Sequence, residues 1–187
     1  MDLLLEGASL IMIDVQQAFD DPRWGMRNNP AAESNIARLL ATWRRSGQPL
    51  FHVQHGSLDA NSPLHRSAPG YAFKPQAQPL PDEVLVHKNV NSAFIGTTLE
   101  QQLRDATAST LVIAGLTTDH CVSTTTRMAA NLGFTVYLVG DACATFGRTG
   151  PNGARYTAAQ MHDTALASLH GEFATVISSA EAVDQVG

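Results

Sequence analysis

Six short stretches of this chain are built around uninterrupted apolar residues: Ser9–Ile13 (SLIMI), 48–54 (QPLFHVQ), 83–88 (EVLVHK), Thr110–Ala114 (TLVIA), 134–139 (FTVYLV) and 174–177 (ATVI). A strand without polar alternation has no face to turn to water, so such runs belong to a parallel sheet covered on both sides. The intervening sequence supplies the cover. Residues 31–46 carry Ile36, Leu39, Leu40 and Trp43 at helical spacing, with Gly47 placed to end the helix. Further helices are predicted over 97–105, over 119–131 with Gly133 closing it, and over 153–170. Only 56–82 lacks a period; its Pro and Gly residues mark a long functional loop. With 187 residues and no linker, repeat or low-complexity segment, the prediction is α/β. It takes the form of a single domain over 1–187, a three-layer αβα, doubly wound around a mostly parallel, Rossmann-like, six-stranded sheet.

Charge narrows the partners. Twelve basic against 17 acidic residues give a formal net charge of -5, and no basic run occurs, so nucleic acid and anionic membrane are not expected as partners. No apolar stretch approaches the roughly 20 residues of a membrane span. The start, Met1–Glu6, has no basic segment or small-residue cleavage site, and the two cysteines, Cys121 and Cys143, are too few for a secreted disulfide scaffold. A cytoplasmic protein is expected. Residues 147–153 (GRTGPNG) lack the Gly-Lys-Ser/Thr ending of a phosphate loop, and no G-x-G-x-x-G follows the first strand.

In doubly wound sheets ligands bind beyond the carboxyl ends of the strands. The residues standing there are Asp14, then Gln54 and His55, then Lys88, then the run Thr117–Thr118–Asp119–His120–Cys121, and finally Asp141. Cys121 falls in the first turn of a helix, where unpaired N–H groups and the dipole favour a thiolate and could hold an oxyanion. It is equally readable as a small buried hydrophobe. Asp14 is a general base or a local cap; Lys88 is a cation that lowers neighbouring pKa values or a solvated surface residue. Their coincidence at one sheet edge is what the chemical reading explains.

Four segments in order, IMIDVQQAF (11–19), HKNVNSAFIGT (87–97), GLTTDHCV (115–122) and VGDA (139–142), resemble the isochorismatase-like cysteine hydrolases, a family that includes nicotinamidases and N-carbamoylsarcosine amidases. The resemblance implies that family's hydrolase fold and an Asp–Lys–Cys triad carried by Asp14, Lys88 and Cys121. It implies an oxyanion hole from the Thr117 and Cys121 N–H groups, and a cis Leu116–Thr117 peptide. Gln16, Phe19, Phe94 and His120 are then candidate substrate-binding residues, with Trp24 and Phe73 also at the pocket mouth. The nicotinamidases' Asp-x-His metal pair aligns with His55 and Ser57, which removes the carboxylate and one histidine. His55 with His65 would offer two ligands where a catalytic zinc takes three, so no metal or other cofactor is assigned. His87, His162 and His170 are read as structural or surface residues.

The function expected from this resemblance is hydrolysis of a C–N bond in a small amide or carbamoyl compound through a thioester. Two alternatives are isochorismatase-type vinyl ether hydrolysis, which uses no thiol, and small-molecule binding without catalysis. A homodimer or homotetramer is expected on the same grounds. The segments 20–30 and 56–82 are where specificity would reside.

Overall fold

The computed structural model describes residues 5–186; Met1–Leu4 and Gly187, the ends of the expected domain span, lie outside the described residues. Strand β1 (Ser9–Ile13) is the centre of the sheet, pairing in parallel with β2 (Leu50–His55) on one side and β4 (Thr110–Leu116) on the other. Beyond β2 lies β3 (Val84–Lys88); beyond β4 lie β5 (Thr135–Ala144) and β8 (Thr175–Ile177). The order is β3-β2-β1-β4-β5-β8, with every pairing parallel. The chain therefore leaves β1 in one direction and returns on its other flank, which opens a crevice at the carboxyl ends of β1 and β4.

Alternate residues of each strand feed two cores. Leu10 and Met12 of β1 point to helices α1 (Ala32–Ser46) and α5 (Ser179–Asp184), where Ile36, Leu39, Leu40, Trp43 and Ala182 meet them. Ile11 and Ile13 point the other way, to Leu99 and Leu103 of α2 (Leu99–Asp105), Ala129 of α3 (Ser123–Asn131) and Leu169 of α4 (Ala158–Leu169). This is why the strand runs read as continuously apolar: both pleat faces are dry. No helix is long and apolar enough to cross a membrane among the described residues.

Gly115 makes the central pairing possible. Its φ is +131°, and a Cβ there would stand 2.1 Å from the Ile13 carbonyl oxygen, so no side chain fits where β4 passes β1.

Four elements depart from expectation. The predicted helix over 153–170 begins only at Ala158. Ahead of it, β6 (Arg148–Thr149) and β7 (Arg155–Tyr156) form a short antiparallel ladder turned by Pro151–Gly153, and Thr157 starts the helix through a capping box with Gln160. The predicted helix over 119–131 begins as a π-helical turn, Thr118–Val122, before α3. Strand β5 runs on to Ala144 through a bulge: Ile113 faces Leu138, but Gly115 faces Cys143. Asp141 thus lies inside the strand rather than beyond its end. Helix α5 has no apolar stripe long enough to announce it and was not expected; Ser178 and Glu181 cap it.

The loops that reach over the carboxyl edge are pinned by charge. Arg27 meets Glu33 of α1 with both guanidinium nitrogens, Nη2–Oε2 at 2.6 Å, and Lys74 Nζ lies 3.0 Å from Glu33 Oε1 and also pairs with Asp20. The Arg27 and Lys74 hydrogen bonds outweigh burial and hold Glu33 down at about 2 against an ordinary 4.5. A carboxyl lowered in the folded state stabilises above its unfolded pKa, and that contribution fades as pH falls from about 4.5 towards 2. Urea midpoints measured between pH 5 and pH 2.5 are expected to fall by about 2 kcal/mol less in Glu33→Gln than in the parent, that difference being the share of the acid loss Glu33 carries. An equal acid loss in that variant would show the network to be inert.

Candidate active site

The crevice collects one residue from each of three strand ends. Asp14 follows β1 with φ at +50°, a left-handed conformation that Asp tolerates better than most residues and that turns the chain sharply as it leaves the sheet. Its carboxylate is fully buried. Lys88, the last residue of β3, is 1% exposed, and Cys121, in the π-helical turn after β4, is 8% exposed. The Leu116–Thr117 peptide leading into that turn is cis.

Lys88 Nζ donates to three acceptors: Asp14 Oδ2 at 2.5 Å, His55 Nδ1 at 3.0 Å and the Val90 carbonyl at 3.1 Å. An ammonium has three N–H groups, so none is left over. The second carboxylate oxygen, Asp14 Oδ1, is buried and without a hydrogen-bond partner. Asp14, His55 and Cys121 each bring a ligand-type atom to within 4.8 Å of the others. The Cys121 thiol also lies 3.9 Å from Asn91 Oδ1.

Electrostatics differ from the expectation of a ready thiolate. Burial, and then the Asp14 charge, push the Cys121 thiol above its ordinary value, against the smaller opposing effect of Lys88. Burial also raises Asp14, with the Lys88 ammonium pulling the other way. The resting pair is a thiol beside a carboxylate made more basic by its surroundings. Alkylation of Cys121 by iodoacetamide is accordingly expected to be slow at pH 7 and to climb without a plateau through pH 9, as read by peptide mass mapping. A plateau below pH 8 would show a preformed thiolate. Cys143 is fully buried in β5, its thiol raised to about 12 by burial, and packs in the core.

A cavity of about 110 Å³ opens onto Cys121, lined by Phe19, Trp24, His55, Leu64, Asn91, Thr117, His120 and Arg148. Of the residues the sequence pointed to, Phe19, Trp24, Thr117, His120 and Cys121 are together here. Gln16 is not: its amide is spent on bracing the loops, donating to the His55 and Tyr71 carbonyls at 3.1 and 2.8 Å and accepting from the His55 N–H at 2.8 Å. Phe94 stacks on Phe134 at 6.2 Å between ring centres, and Phe73 packs edge-on against His52. Both join the packing outside the cavity. Asp141 has its carboxylate bound to the Ser179 N–H and hydroxyl at 2.6 and 2.8 Å, which anchors α5.

Asn91 and Arg148 had no signal of their own in the sequence. Arg148 falls in the glycine-containing run set aside as a false phosphate loop; its Nε donates to Asp119 Oδ2 at 3.1 Å and its Nη2 lies 3.4 Å from His120 Nδ1. Thr145 donates to the other oxygen of Asp119, and the Thr145 and Arg148 contacts together hold that carboxyl below the ordinary range against its burial. His162 of α4 bonds the Thr118 hydroxyl at 2.8 Å and so braces the π-helical turn that carries Cys121. His65 is turned to Ser67 at 2.8 Å. Asp14, His55 and Cys121 form a metal-like donor set, but the Lys88 ammonium is already bonded to two of the three, so the set fits a cationic side chain better than a metal ion.

Residues 8–181 match the Isochorismatase domain family. The isochorismatase family protein YrdC of Bacillus subtilis is 48% identical over 179 residues, 96% of each chain. The crystal structure of a hydrolase of the same family from Chromobacterium violaceum superposes with a TM-score of 0.93 at 47% identity, covering 95% of this chain and 92% of that one. Nicotinamidase 3 of Arabidopsis thaliana is 26% identical over 186 residues, 91% of this chain and 84% of its own. On the family match across nearly its whole length, and on the closeness of these relatives, the chain belongs to the isochorismatase family of hydrolases.

Proposed function

We propose that this protein is a cysteine-dependent hydrolase that cleaves the C–N bond of a small amide or carbamoyl compound, with Asp14, Lys88 and Cys121 as its catalytic groups. The observation that carries the reading is the divided carboxylate of Asp14. One oxygen is held by Lys88 while the other is buried and unpaired, and the carboxylate lies within 4.8 Å of the thiol.

In this scheme sulfur attacks the carbonyl carbon as its proton passes to Asp14, so no free thiolate has to persist in the buried site. The carbonyl oxygen becomes an oxyanion against the Thr117 and Cys121 N–H groups. Asp14 then returns the proton to the nitrogen as the C–N bond breaks; ammonia or an amine leaves and a thioester remains. Water attacks the thioester, giving one proton to Asp14, and collapse frees the acid and restores the thiol. Lys88 holds the carboxylate in place and offsets its charge when the site is briefly more negative. Every proton transfer runs between Cys121, Asp14, the leaving nitrogen and water, and no cofactor enters the scheme. Nicotinamidase, by name an enzyme acting on a small amide, is consistent with this chemistry in the family.

The test is ammonia release over a panel of small amides and carbamoyl compounds, with acid-quenched samples weighed intact. Turnover with an acyl mass adduct mapped to Cys121 is expected. Turnover without any adduct, or release that is indifferent to the thiol, would overturn the proposal.

A further inference from the structure

His55 was weighed in the sequence only as a metal ligand, yet its position fixes something else. Its Nδ1 lies 3.0 Å from Lys88 Nζ, and that ammonium, bound to the Asp14 carboxylate, has only protons to offer. Nδ1 must therefore be the bare, accepting nitrogen, and the ring proton of neutral His55 sits on Nε2. Among the described residues Nε2 has no hydrogen-bond partner, and it is not one of the sealed polar atoms. The imidazole lines the same cavity as Cys121.

We propose that His55 is a substrate-binding residue: a donor of fixed direction whose Nε2–H holds a lone-pair acceptor on the acyl part of the substrate, beside the carbon that Cys121 attacks. This rests on the reading of Cys121 as the nucleophile. It narrows the substrate class to small amides or carbamoyl compounds whose acyl portion carries a carboxylate, a second carbonyl or a similar acceptor, and it disfavours those carrying an ammonium there. Two observations support the assignment. Burial and the adjacent Lys88 charge outweigh the opposing influence of the Val90 backbone and hold His55 down at about 4, so the ring stays neutral across the working range. Arg148 on the same wall is also a pure donor, its Nε committed to Asp119. The wall around the sulfur thus offers N–H groups from two sides, and a cationic substituent would meet both unfavourably. Cavity volume agrees, since about 110 Å³ admits only a compact acyl group.

The test needs no knowledge of the natural substrate. Bromoacetate and (2-bromoethyl)trimethylammonium are small alkylating agents; with either, sulfur displaces bromide, but one carries a carboxylate and the other a permanent ammonium. Alkylation rates at Cys121, read by peptide mass mapping at pH 8.5 and each divided by the rate for free cysteine, give a preference ratio. The parent is expected to favour bromoacetate, His55→Leu to lower that ratio about tenfold, and His55→Gln, which can accept from Lys88 and still donate, to keep most of it. A merely structural role would slow both reagents alike and leave the ratio unmoved. An unchanged ratio in folded His55→Leu, a ratio lost in His55→Gln, or a Cys121 that neither reagent reaches would overturn the proposal.

Should His55→Leu fail to fold, long-range ¹⁵N–¹H NMR of the parent decides it. Nε2 protonated and Nδ1 bare at pH 7 is the expected pattern, and the reverse tautomer or a charged ring overturns it. Neither measurement depends on turnover. Absence of a thioester would therefore count against the hydrolase scheme, and an unmoved preference ratio against His55 alone.

Discussion

Cys121→Ala is expected to abolish amide turnover, by a factor on the order of 10⁴ or more, because the scheme has no second nucleophile once the sulfur is gone. The substitution enlarges a cavity that is already open beside the residue, so the urea midpoint is expected to move by less than about 1 kcal/mol. Fold and chemistry are thereby separable. Cys121→Ser is the sharper companion: it keeps the size and a proton to give, but an alkoxide is far harder to form beside the Asp14 charge, and turnover is expected to fall nearly as far. The measurement is ammonia release at saturating amide for parent and both variants, with unfolding curves for each. Retained release in either variant would remove the thioester route.

Lys88→Met is expected to damage both function and stability. It leaves the fully buried Asp14 without its only charge partner among the described residues, and removing one member of such a pair costs about 3–5 kcal/mol. Without Lys88, burial acts on Asp14 against only the weaker Cys121 contact and raises its folded pKa further. The sign of the pH effect follows: a carboxyl raised by folding is tolerated while protonated, so the variant's deficit should be smallest near pH 4 and grow towards neutrality. Protonated Asp14 cannot take the thiol proton, so turnover falls as well. A double change, Asp14→Asn with Lys88→Met, removes the stranded charge and is expected to recover most of the lost urea midpoint while staying inactive. A double variant no more stable than Lys88→Met would mean that Lys88 stabilises chiefly through packing and the Val90 carbonyl.

How much of this was written in the sequence depends on which physical rule governs each residue. The strands were legible because a double-faced sheet demands apolar residues at successive positions, and β1, with Leu10 and Met12 on one core and Ile11 and Ile13 on the other, shows that demand directly. Parallel topology then brings strand ends to one edge, which is how Lys88 comes to share the crevice with Asp14, 74 residues earlier in the chain, and with Cys121 beyond both. The rule fails where a strand is interrupted. Asp141 looked like another strand-end acid, but the bulge in β5 carries the chain past it and the carboxylate turns to Ser179. Side-chain direction was equally out of reach. Gln16 and Phe94 have suitable chemistry for a pocket, yet the first is consumed by backbone groups of two loops and the second by a ring on the neighbouring turn. Asn91 reaches the cavity from an irregular segment and Arg148 from the two-residue strand β6, neither long enough for a period to tell inside from outside.

The aromatic wall of the cavity also gives the protein an optical property. Of its two tryptophans, Trp43 is sealed beneath the sheet with its indole N–H on the Ala8 carbonyl, far from any change at the strand ends. Trp24 lines the cavity against Phe19 and Phe146. One emitter is a constant internal standard and the other stands where a ligand would quench or shift it. Occupancy of the site can therefore be followed in the unlabelled protein by tryptophan fluorescence, with Trp24→Phe as the spectroscopic blank.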